Sequence, residues 1–237
     1  MGNPVFHFKQ FSVCQNKSAM KVGTDGVLLG AWVPVDGIRT ILDVGTGTGL
    51  IALMLAQRQP QAAITAIDID TVACGEATEN FNASPWDHRL TVLHTSVQDF
   101  SNTSDYKFDL LVSNPPYFSR SLQAPCDRRS KARHDESLSI SELLSCSRRL
   151  INETGKLALI LPVSQHEKLS LAAREHGLYE TRRLLVYPDH GKPAKRTLSL
   201  WGLDLQEPIV EEHLTIECGG RHQYSSDYLA LTREFYL

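Results

Sequence analysis

The chain predicts an α/β fold: a mostly parallel sheet of seven strands with one antiparallel C-terminal strand and helices on both faces. Three features predict it. From residue 40 onward, short apolar runs alternate with stretches of helical periodicity. The runs are apolar throughout, not at every second residue, as in strands buried on both faces. The last two runs have no helical stretch between them, so they need an antiparallel connection.

The elements follow in order. Residues 40–44 read as a buried strand, and residues 50–58 as an apolar helix after a glycine loop. A second strand is expected at 63–68. The stretch 72–81 is helical, with Val72, Ala73, Ala77 and Phe81 on one face. Strands are expected at 90–94 and 108–113. Ser139 and Glu142 form a Ser-x-x-Glu capping box that opens a helix, and Gly155 follows its end. Residues 156–161 are the fifth strand. Ser164 and Glu167 predict a second capping box, with Gly177 stopping that helix. The final strands are 184–187 and 197–203. A single domain is expected, with an N-terminal extension at 1–39, a core at 40–205 and a C-terminal appendage at 206–237.

Of the 237 residues, 42% are apolar and 22% charged, which excludes a disordered or collagen-like chain. No apolar run nears the ~18 residues that span a bilayer. The first residues lack the basic-then-apolar profile of a signal peptide. Five cysteines stand at 14, 74, 126, 146 and 218, an odd count with no Cys-x-x-Cys pair. Neither a disulfide framework nor a metal site is expected, and a cytoplasmic location is. The net charge of −3 argues against a general nucleic-acid coat. Two segments depart from it. Residues 120–134 hold five Lys and Arg against Asp127, and residues 182–196 hold five against Asp189. They suit a polyanion docked on one face, or are solvated loops.

The most specific motif is Asp43-Val44-Gly45-Thr46-Gly47-Thr48-Gly49, between a strand and a helix. Glycines let the backbone turn sharply and let a ligand approach. Asp68 ends the next strand, where a carboxylate can accept hydrogen bonds from two ribose hydroxyls. The glycine spacing is not the dinucleotide fingerprint. Asp43 would repel a pyrophosphate but not a sulfonium or ammonium group. The second motif, Asn114-Pro115-Pro116-Tyr117, follows the fourth strand. An exocyclic ring amine is a poor nucleophile, because its lone pair is delocalised. The Asn114 side-chain oxygen and the Pro115 carbonyl, set on its two N–H groups, would draw the nitrogen toward tetrahedral geometry. The prolines hold that carbonyl rigidly, and Tyr117 offers a face for a flat base.

In sequence order these motifs resemble the Rossmann-like class I S-adenosylmethionine-dependent methyltransferases that act on planar nitrogens. The resemblance implies that S-adenosyl-L-methionine is held by Asp43, Gly45, Gly47, Gly49 and Asp68, with Asp99 and Phe100 at its adenine and Asn114 beside the methyl. It implies catalytic roles for Asn114, Pro115 and Tyr117. The similarity runs further. Phe8-Lys9-Gln10-Phe11, the block from Met20 to Trp32, Lys131-Ala132-Arg133-His134, Lys192 to Arg196 and the closing stretch from Asp227-Tyr228 to Phe235-Tyr236-Leu237 resemble the bacterial tRNA1(Val) adenine-37 N6-methyltransferases. That likeness places Lys21, Thr24 and Asp25 near the cofactor and Arg129, Arg133, Lys195 and Arg196 at RNA phosphates. The expected partner is tRNA, with the chain as a monomer. Three other readings stand beside it. Protein-glutamine N5-methyltransferases of release factors share Asn-Pro-Pro-Tyr but usually carry a helical N-terminal domain. DNA adenine methyltransferases generally carry a target-recognition insertion. A non-catalytic cofactor-binding module would lose Asn114 or Tyr117.

Overall fold

The computed structural model describes residues 4–18, 21–115, 138–205 and 208–237. Strands β1 (Val5–His7) and β2 (Ser12–Cys14) form an antiparallel hairpin, followed by helix α1 (Thr24–Trp32). Strand and helix then alternate through β3 (Thr40–Val44), α2 (Leu50–Arg58), β4 (Ala63–Asp68), α3 (Thr71–Asn82), β5 (Leu90–His94), α4 (Val97–Thr103) and β6 (Phe108–Ser113). Further along lie α5 (Ile140–Leu150), β7 (Ile151–Pro162), α6 (Val163–Glu175), β8 (Tyr179–Asp189), β9 (Arg196–Gly202), β10 (Val210–Glu217) and α7 (Ser226–Thr232).

The main sheet has the order β10-β8-β9-β7-β6-β3-β4-β5. Among the described strands of this sheet, only β9 is antiparallel to its neighbours, β7 and β8. Apolar clusters cover both faces. One joins the hairpin, α1, α2 and α7 to the sheet through residues such as Phe8, Leu29, Leu53, Ile160 and Phe235. The other sets α5 and α6 on the opposite face, with Leu143, Leu159, Leu169 and Trp201.

Among the described residues the sheet therefore has eight strands, one more than the seven expected, and continues past residue 205. β10 escapes the sequence pattern because it is an edge strand with three glutamates and one fully buried residue, Leu214. Charged edges of this kind discourage further strand addition. Helix α1 was not expected either. Its seven residues from Gly26 to Trp32 are all buried, so it shows no amphipathic stripe. It lies very close to α2: a Cβ on Gly30 would stand 2.8 Å from Met54 Sδ.

Three other expectations are corrected. Strand β7 begins at Ile151, directly after α5, and Gly155 lies inside it. A Cβ there would come within 2.7 Å of the Phe108 carbonyl, so glycine admits the neighbouring strand. Ser164 caps nothing, because β7 runs into α6 through Pro162, which is the N-cap. Asp99, in a stretch where no element was expected, stands in the first turn of α4. The capping box on α5 does form. Ser139 Oγ accepts from Glu142 N at 3.1 Å, and Glu142 Oε2 accepts from Ser139 N at 2.8 Å.

Candidate active site

Parallel strands β3, β4, β5 and β6 all end on one edge of the sheet, where α/β proteins bind ligands. At the end of β3 the chain turns through Gly45, Gly47 and Gly49, each with φ between 56° and 83°. Only glycine adopts this left-handed backbone without strain. At Gly49, N-cap of α2, a Cβ would also strike Phe81 at 2.5 Å. The loop is tied to β4 by Gly45 N and Thr46 N, which donate to Ile67 O at 2.9 and 3.1 Å. Asp68 Oδ2 accepts from Gly47 N at 2.8 Å, and its Oδ1 accepts from Asp70 N at 2.9 Å.

Beneath the loop lies Asp43, with no solvent exposure. Its Oδ2 accepts from Thr46 Oγ1 at 2.7 Å. Burial pushes the Asp43 carboxyl up to about 7; the Thr46 hydroxyl and the Ala52 N–H pull it down, and Asp68 adds a smaller upward push.

A cavity of about 480 Å³ opens over the loop. Its floor is the glycine loop and the first turn of α2. One wall is Lys21 with the first turn of α1, and the other is Asn114, Pro115 and Arg196. It thus brings together Lys21, Thr24, Asp25, Gly45, Gly47, Asn114, Pro115 and Arg196. Asp43 and Gly49 support the loop from behind. Asp68, Asp99 and Phe100 do not line this cavity. Asp68 braces the loop, exposed Asp99 accepts from Ser96 Oγ at 2.7 Å, and half-buried Phe100 packs 6.1 Å from Phe108. Tyr117, Arg129 and Arg133 lie outside the described residues.

The wall carrying Lys21 is fixed by polar groups of α3. Glu76, almost fully buried, accepts from Lys17 N and Ser18 N, each at 2.9 Å. Burial opposes its ionisation, but the hydrogen bonds from Ser18 and Lys17 win and hold its carboxyl below the usual range. Asn80 pairs with the Cys14 backbone and also donates to Thr48 O at 2.9 Å, joining β2 to the glycine loop. Lys21 Nζ donates to Gln15 O, and Val22 N donates to Gln15 Oε1 at 2.7 Å.

The second basic segment is largely neutralised within the fold. Arg182 meets Glu212 at 2.7 Å, Arg183 meets Glu180 at 2.5 Å, and Lys192 meets Asp189 at 3.6 Å. Arg196 Nε donates to Asp25 Oδ2 at 2.8 Å inside the cavity wall. Lys195 is exposed on the loop before β9. Thr46, Thr48, Leu50 and Ile51 also line the cavity and were not singled out. Thr46 and Thr48 belong to the glycine-loop turn, and Leu50 and Ile51 open the helix that follows it, which is the signal that marks them.

Residues 18–168 match the methyltransferase small domain family. A tRNA1(Val) (adenine(37)-N6)-methyltransferase of Bacteroides thetaiotaomicron is 49% identical over 100% of this chain and 99% of its own length. One from Parabacteroides distasonis is 48% identical over the same shares. Among solved structures, a predicted O-methyltransferase from Agrobacterium tumefaciens superposes with a TM-score of 0.68 at 18% identity, covering 89% of this chain and 96% of that one. That likeness concerns the fold alone. Identity of this degree from end to end goes further: the chain belongs to the methyltransferase small domain family and, within it, to the tRNA1(Val) (adenine(37)-N6)-methyltransferases.

Proposed function

We propose that the chain transfers a methyl group from S-adenosyl-L-methionine to N6 of an unpaired adenine, adenine 37 in the anticodon loop of tRNA1(Val). The observation that carries this is the shared cavity: the glycine loop and Asn114-Pro115 line one and the same space. The residues present suit the cofactor. Positive-φ glycines leave the loop open to close approach, and Asp43 and Asp68 supply carboxylates near a cationic ligand. The cofactor brings an electrophilic methyl on a sulfonium. The glycine loop backs its methionine portion, and Asp68, Asp99 and Phe100 are assigned to its nucleoside end along the same sheet edge.

Asn114 Oδ1 and the Pro115 carbonyl accept the two N–H groups of the adenine amine and localise its lone pair. Held by the glycine loop, the cofactor would supply its methyl as an electrophile, with its sulfur as the leaving group. The methylated nitrogen is acidic and releases its proton to these acceptors or to water. Catalysis is then mainly positioning, with Tyr117 stacking on the base. An anticodon-loop base is easier to reach than one in a duplex, where extrusion costs a few kcal/mol. Lys195, Arg129 and Arg133 are assigned to RNA phosphates. Both cavity walls come from one chain, so a monomer suffices, and the substrate places the work in the cytoplasm. Among the described residues no helix is long and apolar enough to cross a membrane.

Methyl transfer to unmodified total tRNA, followed by nucleoside analysis, tests the assignment. N6-methyladenosine in tRNA1(Val) is expected; transfer to a protein glutamine instead would overturn it. Asn114→Ala should lower kcat ~100-fold or more and leave cofactor affinity, read by calorimetry, nearly unchanged.

A further inference from the structure

We propose that the two loops leaving the ends of β8 and β10, residues 190–195 and 218–224, form a basic ledge for the phosphates of the tRNA stem that adjoins the target loop, with Arg221 at its outer end. This rests on the tRNA reading above and names the surface that receives the rest of the substrate. It also gives the C-terminal stretch, expected only as an appendage, a part in substrate binding.

The sheet sets the two loops beside the cavity. β7 and β8 are both antiparallel to β9, and β10 is parallel to β8. β7, β8 and β10 therefore end on the same sheet edge as β3 and β6, where the glycine loop and Asn114 lie. Glu217 of β10 stands level with Asp189 of β8, so their loops emerge side by side. In the order β10-β8-β9-β7-β6, strands spaced ~4.8 Å apart put β10 ~20 Å from β6 along that edge. A stem adjoining a base held beside Asn114 is within reach of this stretch of the rim. Lys195 joins the ledge to the cavity, because its neighbour Arg196 lines the wall.

The ledge is one-sided in charge. The two loops contain Lys192, Lys195, Arg221, His190 and His222, and no Asp or Glu. All five side chains belong to exposed residues. The acids at the strand ends are taken up locally. Asp189 Oδ1 accepts from His190 N at 2.8 Å, and its Oδ2 meets Lys192 at 3.6 Å. Glu217 Oε1 accepts from His222 N at 2.8 Å. Among the described residues, neither Lys195 nor Arg221 forms an ion pair. Arg182 and Arg183, on the strand itself, are by contrast paired with glutamates. The cations left open thus gather on the edge that carries the cavity.

The outer loop is a built turn. Cys218 N donates to Gln223 O at 2.7 Å, Gln223 N donates to Gly220 O at 3.1 Å, and Tyr224 bridges back to Glu217. His222 holds a φ of 66°, in the left-handed region that a side chain enters at a cost. Arg221 therefore stands on a fixed support, and less freedom is lost when an anion binds. RNA stems are recognised mostly by shape and by backbone contacts, for which exposed cations in a fixed array suffice.

Steady-state methylation of unmodified tRNA1(Val) by the full chain, over a range of salt concentrations, tests the proposal. A wild type that methylates no tRNA would overturn the functional reading, and this one with it. With wild-type transfer in hand, Arg221→Glu should raise the KM for tRNA roughly 10-fold at low salt. Arg221→Ala should raise it less, and should make the slope of log kcat/KM against log salt shallower by about 1. Arg221→Lys should recover most of the loss, since a phosphate on open surface needs a point charge. The kcat at saturating tRNA, the calorimetric Kd for S-adenosylmethionine and the melting temperature should stay at wild type, because Arg221 is exposed and lies outside the cavity. An Arg221→Glu variant with wild-type KM and salt slope would overturn the ledge and leave the methyltransferase reading intact. So would one that loses kcat with its KM unchanged.

Discussion

Asp43 sets a pH dependence that can be measured. An unfolded aspartate loses its proton near pH 4, whereas burial holds this one to about 7 in the fold. Between those values the folded chain keeps a proton that the unfolded chain has lost. Rising pH therefore favours unfolding through that window, and the effect levels off above about 7. Asp43→Asn cannot titrate and escapes the penalty. In thermal melts from pH 4 to 8, the variant should gain on wild type as pH rises, by up to about 4 kcal/mol, and hold that gain above 7. Parallel pH profiles would show that Asp43 does not titrate in this way. The motif containing Asp43 was legible in sequence because its chemistry needs particular residue types in a row. Arg196 was not: it sits among basic neighbours, and only the fold shows that it lines the cavity while Lys195 is exposed.

Helix α3 lies behind the cavity and lines none of it, yet its buried polar face holds the N-terminal segment in place. Glu76→Ala would leave the N–H groups of Lys17 and Ser18 without their acceptor, at ~1–3 kcal/mol each. A lower melting temperature is expected, together with a weaker cofactor Kd, because the segment leading to Lys21 loosens. Glu76→Gln keeps an acceptor and should lie between the two. A destabilised Glu76→Ala with unchanged Kd would separate the clasp from the site. Four strands were readable to the residue, 40–44, 63–68, 90–94 and 108–113: the first, second and fourth are inner strands with apolar runs, while β5 at 90–94 is an edge strand with one buried residue, Leu90. Elements fell out of view where no apolar run or stripe marks them. Helix α1 is buried all round, and β10 is a glutamate-rich edge. The start of α6 was misplaced because a strand runs into it with no loop between.

One apolar cluster joins Phe8 and Val13 of the hairpin, the sheet, and Tyr228 and Phe235 near the C-terminus. We therefore propose that residues 1–237 unfold as a unit. Phe235 is 2% exposed, and its backbone carbonyl accepts from Lys9 N at 2.9 Å. Phe235→Ala should cost about 3–5 kcal/mol and shift a single calorimetric transition; two separated transitions would divide the molecule instead. The place of β9 has a consequence for synthesis. It is made after β8 but lies between β7 and β8, so neither of those strands can complete its pairing until residues 196–202 have emerged from the ribosome. Arg196, which closes the cavity wall, arrives with the same strand. A nascent chain is thus left with open strand edges on β7 and β8, exposed to aggregation, until the residue that completes the cavity wall is delivered. The join between β7 and β8 and the last wall of the cavity come in one late step of translation.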